Sequence, residues 1–342
     1  MVLHLHYSAM TDLQKPKKLP ETADDFKALF PDVSGNTVNG LNETEIRSPS
    51  PFFWHPHDKH AFGELQTEVV DIQRRSPAIV EHYSSNAARG PKTIEKAQTI
   101  IEKSAEEWVM AIKEFTLCHE GDDVRITKMD PHYIYEGYRI DEPWVIIVGV
   151  TMDHAELDKV PASLEKPESP VEVARQYNRA ARVCRELTNF ILSQGYFAKP
   201  WAGPFASALS MVPAAIDAGM GTLGKHGSLI HGEFGSSFRL SAVTTDMPLI
   251  ADQMRDIGSE DFCNNCQICV KACPPGAIFS EKQMVRGVNK WFVDFDKCIP
   301  TFGEALGCAI CIAKCPWSTP GRASKLSQKM LNRRKNKKVD YA

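Results

Sequence analysis

The chain has 342 residues, 43% hydrophobic and 24% charged, with 40 Lys and Arg against 43 Asp and Glu for a formal net charge of −3. These proportions are ordinary for a soluble globular protein with room for more than one domain, and the longest apolar run, Trp144 to Val150, is far too short to span a bilayer. Met1-Val2-Leu3-His4 opens no charged and then apolar leader, and Arg74-Arg75 lies too deep for twin-arginine export, so a cytoplasmic protein without a membrane anchor is expected.

Residues 1–92 are rich in Pro, His, Asp and Ser without a sustained apolar period, which predicts an irregular segment packed on the neighbouring core or on a partner subunit, with a homo-oligomer left open. Within it, Asp58-Lys59-His60-Ala61-Phe62-Gly63 formally matches the D-x-H-x-x-G pattern by which some cobalamin enzymes supply a histidine ligand. That pattern belongs after the first strand of a flavodoxin-like domain, which is not visible here, so the stretch and the cluster His55, His57, His60 read as a polar loop. Residues 93–255 read as a mixed α/β (α+β) core. Ile94, Ala97, Ile101, Ala105, Trp108 and Ile112 predict a helix from Thr93 to about Phe115, and Pro143 to Met152 predicts a buried strand.

Ser169-Pro170-Val171-Glu172 has the form of a capping box with proline at the first helical position, opening a long helix that ends near Gly195. Its face Ala174, Tyr177, Ala181, Cys184, Leu187, Ile191 turns Tyr177 inward and makes Cys184 a small buried hydrophobe. The passage Gly219-Met220-Gly221-Thr222-Leu223-Gly224-Lys225-His226-Gly227 precedes a strand at Ser228 to His231 and would let backbone approach a bulky or anionic ligand, a weak signal taken alone. Ser237 to Thr244 alternates as a half-buried strand with Phe238, Leu240 and Ala242 on one face. Arg239 lies on the other, where an arginine is a salt-bridged edge residue unless that face lines a polar cavity. Phe197, Trp201, Phe205 and Met211 could line an apolar pocket or belong to ordinary core.

In residues 256–320, eight of the ten cysteines form two runs, Cys263-x2-Cys266-x2-Cys269-x3-Cys273-Pro274 and Cys298-x9-Cys308-x2-Cys311-x3-Cys315-Pro316. Three closely spaced thiolates can hold three irons of a 4Fe-4S cube while the cysteine before proline ligates the other cube. The crossing assigns Cys263, Cys266, Cys269 and Cys315 to one cluster, and Cys298, Cys308, Cys311 and Cys273 to the other. The nine-residue gap after Cys298 predicts an inserted loop and makes Cys298 the least secure ligand. Zinc takes cysteines in pairs rather than triplets, and disulfides need an oxidising compartment. The basic tail, residues 321–342, carries eight Lys and Arg against one Asp but no interleaved aromatics, so a solvated helix end is expected and nucleic-acid binding is disfavoured.

From about Asp141 to Trp317 the chain resembles the corrinoid iron-sulfur superfamily that holds the reductive dehalogenases and the epoxyqueuosine reductases. The resemblance rests on the order of four elements: Tyr177-x3-Ala181 leading to Phe190-Ile191-x3-Gly195-Tyr196; Ala218 to His226; Phe234-Gly235-x3-Arg239-Leu240 leading to Met247-Pro248-Leu249; and the double cysteine run ending in Cys315-Pro316-Trp317. It implies a nitroreductase-like core holding base-off cobalamin with no protein histidine on cobalt, and a two-cluster ferredoxin-like module beside it. Gly219, Gly221, Gly224, Lys225, His226 and Gly227 would lie against that cofactor.

Epoxyqueuosine reductases carry a turn like Asp-Tyr-His where this chain has Gln176-Tyr177-Asn178, so the acid of that branch is missing. Reductive dehalogenases use a tyrosine partnered by Lys or Arg, and Tyr177 and Arg239 stand in those places. The resemblance therefore implies a soluble, catabolic reductive dehalogenase acting on an organohalide such as a halogenated phenol. An external reductase, ferredoxin or flavodoxin would supply electrons through two 4Fe-4S clusters to make cob(I)alamin, and Tyr177, acidified by Arg239, would give the proton. Two other readings stay open: a tRNA-modifying enzyme of the epoxyqueuosine reductase kind, and a non-catalytic electron-transfer protein that reduces the corrinoid of another enzyme.

Overall fold

Residues 20–84, 89–204 and 208–339 are described by the computed structural model; Phe205 and the first 19 residues lie outside them. The irregular segment expected before residue 93 contains four helices, α1 (Ala23–Lys27), α2 (Gly35–Val38), α3 (Gly63–Arg74) and α4 (Pro77–Ser84). Thr22 and Asp25 form a capping box on α1, and the Ser34 hydroxyl accepts from the Asn36 amide at the start of α2. Their apolar residues close on a distant partner. Phe26, Phe52, Phe53, Phe62, Leu65 and Val69 share one buried cluster with Ile299 and Leu306, and the rings of Phe52 and Phe62 lie 5.0 and 5.3 Å from that of Phe295. This segment thus packs against the part of the chain that carries the cysteines.

The helix predicted from Thr93 starts only at Ala105, as α5 (Ala105–Cys118), behind a capping box of Ser104 and Glu107. Residues 91–104 instead run along the end of the longest helix, where the amides of Ala97 and Ile101 donate to the carbonyls of Leu192 and Gln194. A helix end leaves carbonyls without partners, and this strand-like stretch supplies donors to them. Strands β1 (Asp123–Lys128) and β2 (Trp144–Thr151) follow, then α6 (His154–Leu157) and the long helix α7 (Glu168–Ser193). The capping box foreseen at Ser169 does not form. The helix begins two residues earlier, at Glu168, and the buried Glu172 carboxylate accepts from the Asp153 amide at 2.8 Å, from Gln176 at 2.9 Å and from Arg175 at 3.1 Å.

Strand β3 (Ala198–Ala202), helix α8 (Met211–Asp217), the short pair β4 (Gly221–Leu223) and β5 (Leu229–His231), and strand β6 (Phe238–Thr245) complete the core. The main sheet has the order β1-β2-β6-β3 with every pairing antiparallel. Strand β2 is apolar throughout because both its faces are covered. Ile146 and Val148 meet α5 and α7, while Val145 and Ile147 meet α8 with Trp201 and Phe238. Trp201 and Met211 belong to that second layer, whereas Phe197 is exposed.

The cysteine module comprises α9 (Ser259–Asn265), α10 (Ile268–Ala272), the hairpin β7 (Gln283–Val285) and β8 (Val288–Lys290), α11 (Phe295–Glu304) and α12 (Ile310–Ala313). The basic tail forms α13 (Ala323–Val339), tied to the module where Arg334 pairs with Asp256 and Asp261 and where Met330 is buried. Among the described residues no helix is long and apolar enough to cross a membrane.

Candidate active site

Register and helical pitch bring Tyr177 to Arg239. On β6 the residues facing α7 are Arg239, Ser241 and Val243, and Ser241 Oγ donates to the Ala180 carbonyl at 2.9 Å while Val243 packs with Cys184 and Leu187. One turn before Ala180, the same alignment sets Tyr177 over Arg239, whose guanidinium carbon lies 5.3 Å from the ring centroid. The cation sits on the ring face. Arg239 Nε is buried without a hydrogen-bond partner, and among the described residues the Tyr177 hydroxyl has none either. Arg239 is thus not the salt-bridged edge residue that a polar position on a strand suggests; its face lines a cavity.

That cavity measures about 1020 Å³, at the top of the range usual for ligand pockets. Tyr177, Arg239 and Gly203 stand on its core wall, and Gln73, Arg74 and Ile79 reach it from α3 and α4. Cys273, Cys298, Cys308 and Cys311 line the same cavity. The other four cysteines, Cys263, Cys266, Cys269 and Cys315, surround a separate small hollow closed by Phe262, Pro316 and Trp317. The structure therefore groups the eight thiols in the two crossed quartets that their spacing suggested.

Cys298 joins its quartet through an unexpected device. The nine-residue gap is not a loop; it is the remainder of α11, then Ala305, Leu306 and Gly307, and from Leu306 (φ 51°) through Gly307 (112°) and Cys308 (51°) to Ala309 (61°) four successive residues lie in the left-handed region. Such residues cost about 1–3 kcal/mol each when not glycine and gather at functional sites, where successive amides turned one way can face an anion. Burial, reinforced by the charge of neighbouring sulfurs, pushes the Cys298 and Cys315 thiols up to about 12 and the Cys269 thiol to about 11, and raises Cys311 for the same reason. Thiols so placed become thiolates by binding a cation, as iron-sulfur ligands do. Among the described residues no three metal-ligating side chains converge on a single ion.

The glycine passage is divided between two environments. Lys225 and His226 line the closed hollow with the first quartet. Gly219, Gly221 and Gly224 abut the protein itself; a Cβ on Gly221 would stand 2.3 Å from the Ile230 carbonyl oxygen. Gly227 faces Val293, which with Ser228 lines the large cavity. Two residues with no signal in the sequence also belong to the site. A Cβ on Gly203 would lie 2.8 Å from Tyr177 Cε1, so only glycine leaves the ring its place, and Arg89 donates to the Gly203 carbonyl.

The residues present suit a corrinoid in the large cavity. Its volume exceeds what a small substrate needs, Pro170, Pro204, Pro274 and Pro275 offer flat carbon surface, and no histidine occurs among its described lining residues.

Residues 262–319 match the family described as a 4Fe-4S dicluster domain. Over 183 residues, 51% of this chain, the sequence is 30% identical to the tetrachloroethene reductive dehalogenase of Sulfurospirillum multivorans, covering 35% of that protein. Over 205 residues, 56% of this chain, it is 32% identical to the tetrachloroethene reductive dehalogenase of Dehalobacter restrictus, covering 36% of it. An epoxyqueuosine reductase of Cyclobacterium marinum is 33% identical over 113 residues, 30% of this chain and 35% of that relative. The chain thus spans about a third of the length of these relatives. Among solved structures, the catabolic reductive dehalogenase NpRdhA superposes with a TM-score of 0.66 at 21% identity, over 89% of this chain and 46% of that one. Its complex with 3-bromo-4-hydroxybenzoic acid gives 0.63 at 22% identity, over 80% and 40%. The α/β core and cysteine module share the reductive dehalogenase fold, and about half of the sequence is similar to reductive dehalogenases.

Proposed function

We propose that the chain is a reductive dehalogenase: it replaces the carbon-halogen bond of a small organohalide by a carbon-hydrogen bond, consuming two electrons and one proton and releasing halide. The observation that carries this reading is the sharing of one cavity by Tyr177, Arg239 and the quartet Cys273, Cys298, Cys308, Cys311. When bound, 4Fe-4S clusters supply one-electron relay and a base-off cobalamin supplies a cobalt centre reducing enough to break the bond. Gly203, Ser228, Val293 and the backbone from Leu306 to Ile312 would hold the corrinoid.

The chain's own residues do the rest. The Tyr177 hydroxyl holds the proton for the carbon that loses halide, and Gly203 fixes the ring. Arg239, with an unused buried Nε, orients an anionic substituent such as a phenolate or carboxylate, which favours halogenated phenols among organohalides. The closed quartet would take electrons from an external reductase, ferredoxin or flavodoxin. Ten cysteines without a disulfide suit a reducing cytoplasm. Protein reconstituted with iron, sulfide and cobalamin should release bromide from a bromophenol under a strong reductant, and Tyr177→Phe should lower that rate by about 10²–10⁴ while both cofactors stay bound. A tRNA-dependent loss of epoxide without halide release would overturn the reading.

A further inference from the structure

Lys225 is buried, 1% exposed, and its Nζ has no hydrogen-bond partner. The ammonium lies 4.7 Å from the centroid of the Trp291 ring, and among the described residues no carboxylate pairs with it. A buried charge without a counter-charge is costly, and the side chain lines the hollow of Cys263, Cys266, Cys269 and Cys315. Trp317, in the same wall, has a buried indole N–H that also lacks a partner. His226, which also lines the hollow, is neutral by its bonding: Nδ1 accepts from the Ser228 amide at 3.2 Å, leaving Nε2 to donate to Ser236 Oγ at 3.1 Å. Two side chains with unpartnered buried donors, one of them charged, thus line a hollow framed by four sulfurs.

The other quartet is placed differently. Asp294, 3.6 Å from Lys297, bears on Cys298 and starts α11, whereas Glu260, the carboxylate that bears on Cys263, is paired with Lys282 at 2.5 Å and leaves Lys225 uncompensated. A cluster held by four thiolates is an anion that gains one more negative charge on reduction, so a nearby cation and hydrogen bonds to sulfur favour its reduced form and a nearby carboxylate disfavours it. We infer that Lys225 and Trp317 raise the reduction potential of the cluster in the closed quartet above that of the cluster facing the cavity, so that the closed site takes the first electron. The inference rests on the cluster-binding reading above but names residues that reading does not use.

The test is an EPR-monitored redox titration of the reconstituted full chain, beside iron and sulfide analysis. The wild type should reduce in two separated steps. Lys225→Met should lower the first midpoint, making reduction at least tenfold less favourable, about 59 mV for a one-electron couple, with the second step unmoved. Trp317→Phe should shift the same step by less, and Lys225→Arg should restore it. A Lys225→Met chain that loads one cluster while Lys225→Arg loads two supports the same charge pairing. Two loaded clusters with unchanged midpoints in Lys225→Met overturn the inference alone, whereas a wild type that binds no iron-sulfur removes the proposed function with it.

Discussion

The two cysteine quartets come from one repeated sequence pattern, yet the fold gives them different neighbours. One surrounds a small hollow with Trp317 and Lys225; the other lines the large cavity that holds Tyr177 and Arg239. Spacing tells which thiols act together, and only packing tells which set meets a substrate. The lesson is that ligand grammar is local while direction, from a closed relay to an open reaction chamber, is tertiary.

The contrast can be broken by removing one ligand from each side. Cys298→Ala should abolish bromide release and remove one cluster's iron. Cys266→Ala should leave a residual rate that grows with the concentration of a small chemical reductant able to enter the cavity, and equal losses in both variants would erase the distinction. Next in size, Arg239→Gln should lower turnover about 10²-fold on a bromophenol with both clusters intact. A smaller loss on a substrate without an acidic group would sharpen its assignment to substrate rather than to Tyr177. Gly203→Ala should displace the Tyr177 ring and cost up to about 10² in rate without changing the EPR of either cluster. Away from both quartets, Glu172→Ala removes the acceptor for the Asp153 amide and should lower stability by about 1–3 kcal/mol, read as an earlier denaturant midpoint with unchanged slope.

Legibility in the sequence followed the range of the interactions. Strand β2 and helix α7 declare themselves through periods that a few residues carry, and the quartets through fixed spacings. Tyr177 and Arg239 were readable because a helix period and a strand alternation each assign a face. The helices α1 to α4 were not, since Phe26, Phe52 and Phe62 are buried by Phe295 and Ile299, more than two hundred residues away, and no local repeat encodes that. Lys225 and His226 look like part of a ligand-binding glycine turn, but the β4–β5 hairpin carries them to the closed quartet. Gly203 and Arg89 have no pattern at all; their importance arises only where the chain passes Tyr177.

Residues 34–36 clasp the start of α11. Ser34 and the Gly35 amide both donate to Asp296, the latter at 2.8 Å, and the Asn36 side chain donates to Asp294 and accepts from the Phe295 amide, each at 2.8 Å. Contacts between residues so far apart in sequence close late, because the intervening chain must first be ordered. During synthesis the aromatic cluster of the early segment therefore waits, half built, for α11 to emerge. The helix it waits for carries Cys298, so the contacts that hold the early segment also hold one thiol of the open quartet in place.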